Sequence, residues 1–191
     1  KMGKYLGRKI QTIKNNKIKS GLLAVGLVGG LLYIFSGQSV KSSNPKVQSI
    51  LDAGKSDASS LPTITNCEDF IEKVQSINEG FEELKGQYDS NSKSVKLLNK
   101  IIENNKKIIE DASKLSTAAS VNDASALQAY ASLISDFNAR LKINAPKLQR
   151  VATALSEREP DFAQELKDVS KDMGDYILRI ESSKSLQAQN S

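Results

Sequence analysis

The most regular chemical pattern in this 191-residue chain is a pair of charged stripes. Asp161, Glu165, Asp168, Asp172 and Asp175 recur at 4, 3, 4, 3 spacing, and Lys93, Lys96, Lys100, Lys107 and Lys114 repeat along another stretch with a similar period. Residues three and four apart share one face of an α-helix, so each set forms a stripe of like charge. Such repetition opposes the helix by about 0.2–0.5 kcal/mol per pair. Lys167, Lys171 and Arg179 relieve part of it on the acidic side. Glu103 and Glu110 break the basic stripe, each with a lysine four residues later in the favourable order. The plain reading is two solvated faces; the sharper one is self-association or docking of a charged partner.

Other chemistry is narrowed by what the chain lacks. With no His, the Glu-x-x-His di-iron bundle, His-based zinc sites and Ser-His-Asp or Cys-His catalysis are excluded. There is no P-loop and no GxGxxG; Gly26, Gly29 and Gly30 lie inside an apolar run. No catalytic, cofactor-binding or metal-binding residue is assigned, and neither enzymatic activity nor a cofactor is expected. Cys67 is the only cysteine, which rules out an intramolecular disulfide. It reads as an unpaired, partly buried thiol near a helix start, or as a link to a second chain. Asn105 interrupts an apolar seam, either as a buried residue that sets helix register or as a polar group facing a small ligand between helices.

The elements carrying these residues are helical. Asn66 is an N-cap ahead of Phe70, Val74, Ile77, Phe81, Leu84 and Tyr88 at 4, 3, 4, 3, 4 spacing. A second helix from about Ser92 to Leu115 aligns Leu98, Ile101, Ile108, Ala112 and Leu115, with Leu97, Ile102 and Ile109 beside them. A third starts at Asn122 or Asp123 and carries Leu127, Tyr130, Ile134, Phe137 and Leu141. Asn144 and Pro146 then read as an N-cap and an early helical proline. The last stretch shows Leu148, Val151 and Leu155, then Phe162, Leu166, Val169, Met173, Tyr176 and Ile180, in phase across a kink or break near Pro160. Four amphipathic helices joined by short loops predict an all-α, antiparallel, up-down-up-down four-helix bundle over 66–182. Residues 183–191 are expected to fray, and the Ser-rich stretch 41–65 reads as a polar linker with at most a helical turn around Val47, Ile50 and Leu51.

Ahead of the linker, Ser20 to Val40 contains no charged residue. As a helix it measures about 31 Å, close to the hydrocarbon thickness of a bilayer. Gly21, Leu22, Leu23, Val25, Leu27, Val28, Leu31, Leu32, Ile34 and Phe35 supply the apolar surface of a transmembrane anchor. Gly26 and Gly30 form a GxxxG spacing that lets two membrane helices approach closely. A cleaved signal segment is the alternative, with Gly37 and Ser39 as small residues near its end. The net charge is +5, yet the first twenty residues carry +7 through Lys1, Lys4, Arg8, Lys9, Lys14, Lys17 and Lys19, which leaves −2 on the rest. The basic flank 1–19 therefore belongs to the membrane segment, and nucleic acid is not the expected partner. Lys and Arg beside an apolar span stay cytoplasmic, so the bundle is expected outside. The expected role is a single-pass, membrane-anchored scaffold, adaptor or accessory subunit that contacts membrane-complex proteins or its own copies. The alternatives are an extracytoplasmic sensor or ligand-binding bundle, and a secreted bundle released by cleavage.

Overall fold

The computed structural model describes residues 28–37, 40–59 and 66–190. It is all-α. Helix α1 covers 28–36, and Pro45–Ser59, Cys67–Lys85, Lys93–Ser116, Ala124–Leu155 and Pro160–Asn190 are α2 to α6. Among the described residues the only extended pairing is an isolated bridge between Lys41 and Ser120.

Short polar side chains start the helices by accepting otherwise unpaired backbone N–H groups. Asn66 accepts from the Glu68 N–H at 2.8 Å, Ser92 from Val95 at 3.2 Å and Asp123 from Ala126 at 2.8 Å. Successive long helices run antiparallel, as the descending order of their cross-contacts shows. Cys67, Asn78 and Lys85 of α3 meet Ala112, Ile102 and Asn99 of α4. Asn144 of α5 meets Ile101 of α4, while Arg140 meets Asn104 and Asp111. Asn138 of α5 meets Glu181 of α6, and Ala145 meets Ser170. The ring closes between α3 and α6, where Phe70 meets Tyr176, Lys73 meets Asp172 and Gly80 meets Phe162. Helices α4 and α6 are thus diagonal.

The expected seams form the core. Phe70, Val74, Ile77 and Phe81 are buried with Ile101, Ile108, Ala112 and Leu115 of α4, Phe137, Leu141 and Leu148 of α5, and Leu166, Val169, Met173, Tyr176 and Ile180 of α6. Leu97 is left largely exposed.

Two expectations are corrected. Asn144 and Pro146 do not divide the third helix from the fourth, because α5 runs through both to Leu155. Proline deprives the helix interior of one donor at a cost of about 3 kcal/mol, but α5 is packed along this length against both α4 and α6. Asn144 points into the core and caps nothing. The division lies at the expected break near Pro160, over residues 156–159, and Pro160 opens α6, where its missing N–H costs no helix bond.

The stretch read as a polar linker is also structured over much of its length. Asn44 accepts from the Lys46 N–H at 3.0 Å and Pro45 follows as the first residue of α2. Val47 and Leu51, four apart, turn inward, and Val40 is buried before them. Lys41 donates its N–H to Ala119 O and accepts from the Val121 N–H, which ties this segment to the α4–α5 loop. The serines there cap and bridge: Ser42 Oγ accepts from the Asn44 N–H, and Ser43 bonds Asn122 Oδ1. Residues 60–65 lie outside the described part. At the C-terminus the helix continues beyond Ser182 to Asn190.

Two helical glycines make opposite demands. Gly80 lies beneath the Phe162 ring, and a Cβ there would meet Phe162 Cε2 at 2.4 Å, whereas a Cβ at Gly174 would meet nothing within 4 Å. Glycine in a helix interior costs roughly 0.5–1 kcal/mol relative to alanine. Gly174→Ala is expected to raise the melting temperature by about 2–3 °C for a domain of this size. Gly80→Ala is expected to lower stability in the wild-type background and to raise it in a Phe162→Ala background. Thermal denaturation of the four variants followed by circular dichroism checks both signs.

Candidate functional site

The feature with the most chemistry is the bundle end where α1 is seated. Val28, Leu31, Leu32 and Phe35, at i, i+3, i+4 and i+7, are all buried. They form one face of α1, and its half-buried Tyr33 and Ile34 lie to the side. The Phe35 ring stacks on Tyr176 of α6 at 5.4 Å with an interplanar angle of 19°, and meets Phe137 of α5 edge-on at 5.6 Å. Phe70 of α3 completes the cluster, 5.0 Å from Tyr176 and 6.4 Å from Phe137. Offset and edge-to-face pairs of this kind add about 0.5–1.5 kcal/mol each beyond the area they bury.

Helix α1 stops at Gly37, whose N–H donates to Tyr33 O at 2.9 Å with φ at +68°. Glycine adopts that left-handed capping conformation without the strain a Cβ would bring. Behind α1, the α2 backbone comes so near that a Cβ on Gly29 would lie 3.0 Å from Leu51 Cα. The close approach thus falls at Gly29 and joins α1 to α2 within one chain. Of the expected GxxxG pair, Gly30 is buried and Gly26 lies outside the described residues, as do Gly21, Leu22, Leu23, Val25 and Leu27 of the expected anchor. Among the described residues, no helix is long and apolar enough to cross a membrane.

Beneath the aromatic cluster lies Cys67, buried in the first turn of α3. Its thiol donates to Ala112 O at 3.5 Å, and the Tyr176 hydroxyl bonds its sulfur. Burial pushes the thiol up to about 11, against a smaller downward pull from the Tyr176 hydrogen bond. Burial also raises the Tyr176 hydroxyl well above its ordinary value. A neutral thiol enclosed in this way is a poor nucleophile and a poor metal ligand.

At mid-bundle, Asn105 is engaged on both sides. It donates to Asn78 Oδ1 at 2.8 Å and accepts from Asn144 Nδ2 at 2.6 Å, so α3, α4 and α5 are joined by a row of amides. Asn78 also donates to Ile102 O and Asn144 to Ile101 O. Asn144 Oδ1 and Asn138 Oδ1 are buried and accept no hydrogen bond. The row matches the register-setting reading of Asn105. Asn78 falls one position beside its apolar seam, whereas Asn144 stands in phase between Leu141 and Leu148, so its place in the α5 seam was the signal that could have found it.

The acidic stripe does not stay on one surface. Asp161, Glu165 and Asp168 are exposed and Asp175 is half-buried, but Asp172 is buried in the α3–α6 seam, 3.1 Å from Lys73 Nζ. The basic stripe is intact: Lys93, Lys96, Lys100, Lys107 and Lys114 are all exposed on α4. Glu110 pairs with Lys114 as its spacing implies, whereas Glu103 pairs with Lys106 rather than Lys107. Two further ion pairs brace the helices, Asp111 with Arg140 and Glu181 with Lys142. Burial raises the Asp111 carboxyl, and Arg140 partly offsets that by hydrogen bond and charge. Among the described residues no group of His, Cys, Asp or Glu is arranged to hold a metal ion.

Two outcomes follow from this geometry. Because the native state retains the Cys67 proton that the unfolded chain releases from about pH 9, stability is fully present below pH 9. It then falls by about 2–3 kcal/mol as pH rises from 9 through 11. Urea denaturation across pH 8–11 checks this, with Cys67→Ala expected to flatten the decline. Asn105→Leu leaves the buried Asn144 amide with only its bond to Ile101 O and takes the donor from Asn78 Oδ1, and is expected to cost about 1–3 kcal/mol, while Asn105→Leu with Asn144→Leu recovers most of it; chemical denaturation of both variants decides. Comparison with protein-family models, with curated proteins and with solved structures finds no match to this chain.

Proposed function

We propose that this protein is a membrane-anchored scaffold or accessory subunit of a membrane complex, which works through protein contacts of its helical bundle. One observation carries the reading: a +7 flank followed by 21 residues without a charge, ahead of a region whose own net charge is −2. The cationic flank adds about 1 kcal/mol of attraction per residue near an anionic leaflet, and the uncharged run supplies the apolar surface that holds. In the crossing form the flank stays cytoplasmic and the bundle is extracytoplasmic. Tethering then raises the effective concentration of the bundle for membrane-bound partners.

The contacts themselves are proposed to be electrostatic. The exposed lysines of α4 and the exposed Asp161, Glu165 and Asp168 of α6 lie on diagonal helices, too far around the bundle to neutralise each other within one molecule. Opposed faces of opposite sign suit joining of copies α4 to α6, a heterologous contact that propagates along the membrane. Asp172 is not part of this surface, since Lys73 engages it internally.

Alkaline extraction of native membranes, with mass measurement of the mature chain, tests the anchor. The full-length chain is expected in the membrane pellet, and a soluble chain beginning between Gly37 and Lys41 overturns anchoring. Glu165→Lys with Asp168→Lys is expected to reduce sedimentation of the detergent-solubilised protein to that of single copies. Unchanged association removes the stripes from the proposal.

A further inference from the structure

The uncharged run and the bundle compete for the same side chains. Val28, Leu31, Leu32 and Phe35 belong to the 21-residue run and are also buried in the core of the fold, Phe35 against Phe137 and Tyr176. One helix face cannot be buried in both places at once. The two conformations also differ in the backbone. The docked α1 ends at Gly37 in a left-handed cap, Val40 is buried separately, and Lys41 is bonded to Ala119 and Val121. A helix continuing through residues 37–40 must lose that cap.

We infer that the aromatic end of the bundle is a docking site for an apolar helix, that its occupant is the chain's own segment 28–36, and that this segment exchanges between the site and an anionic bilayer surface. Both environments remove the same apolar face from water, so the balance between them is small compared with either burial. The basic flank tips it, because it is attracted to anionic lipid and follows the segment to the surface. Exchange occurs on the side of the membrane where the bundle lies, since a full crossing from the docked state would drag seven cations through hydrocarbon. Departure of α1 uncovers Phe70, Phe137 and Tyr176 at the moment the bundle is held at the membrane. The inference rests on membrane attachment as proposed above, though not on crossing.

The chain has no Trp, so Tyr33→Trp places a single indole in α1. The full chain carrying this probe is mixed with vesicles of phosphatidylcholine and phosphatidylglycerol, with and without brominated acyl chains, and co-flotation is measured on the same samples. Flotation with quenching of the indole by brominated lipid is expected. Gly37→Ala meets no neighbouring atom and acts only through the left-handed cap. It is expected to lower the lipid concentration at half-quenching by about fivefold, the population shift from placing a non-glycine residue at positive φ. Flotation without quenching overturns the exchange while leaving membrane attachment intact. Quenching whose midpoint is unmoved by Gly37→Ala overturns the docked state as a competitor, and absence of flotation overturns both the exchange and the attachment.

Discussion

The ring of Tyr176 is the point on which the end of this molecule depends. Its face takes the Phe35 ring of α1, its flanks meet Phe70 of α3 and Phe137 of α5, and its hydroxyl reaches Cys67, whose thiol in turn donates to the α4 backbone. Five helices are therefore fixed relative to one another through one side chain. A tyrosine suits that place better than phenylalanine because its polar end finds a partner inside the fold, which removes the cost of burying a hydroxyl. The same contact explains why α1 packs here and not elsewhere: the cluster offers flat apolar faces at an end where the four long helices alone would leave Phe70 and Phe137 with no cover from α1.

Farther along the bundle, specificity comes from polar groups. Apolar seams at 3–4 spacing bury well in several registers, and a slip of one heptad costs them little. The row Asn78–Asn105–Asn144 removes that freedom, since a slip on any of the three helices leaves buried amides without partners. Asn144 Oδ1 already lacks a hydrogen bond, so the row lowers stability to some extent in exchange for a single register. The ion pairs Asp111–Arg140, Lys73–Asp172 and Lys142–Glu181 repeat the constraint at three other levels, each joining a different pair of helices or a different height.

What could be read from the chain alone follows from this division. The helix starts at Asn66, Ser92 and Asp123 were legible because capping is local, and the core faces of α3, α4 and α6 because periodicity is local. Pro146 misled because its effect depends on what packs around it, and Asn144 because a residue that caps well is also one that fills a buried polar row. The serines of segment 41–59 read as linker along the chain, because the bonds of Ser43 to Asn122 depend on the α4–α5 loop being near. Asp172 looked like a member of a surface stripe until Lys73 was placed opposite it. In each case the missing information was the neighbour across the fold, which no spacing along one helix supplies.

The apolar run is the sharpest instance of the same limit. By length and charge it matches a bilayer, while by the positions 28, 31, 32 and 35 it matches the surface of a protein core. These matches are compatible because hydrophobic burial is non-directional and rewards either environment. The aromatic stacking on Tyr176 and the left-handed cap at Gly37, by contrast, are directional and belong to the docked conformation. A sequence selected only to sit in lipid has no need of a left-handed glycine cap at Gly37, nor of a phenylalanine at position 35, where it faces two aromatic rings. The directional features of α1 are thus explained by the bundle, and the lack of charge from Ser20 to Val40 suits the membrane attachment proposed above. A segment that satisfies both sets of constraints has the composition required to move between them.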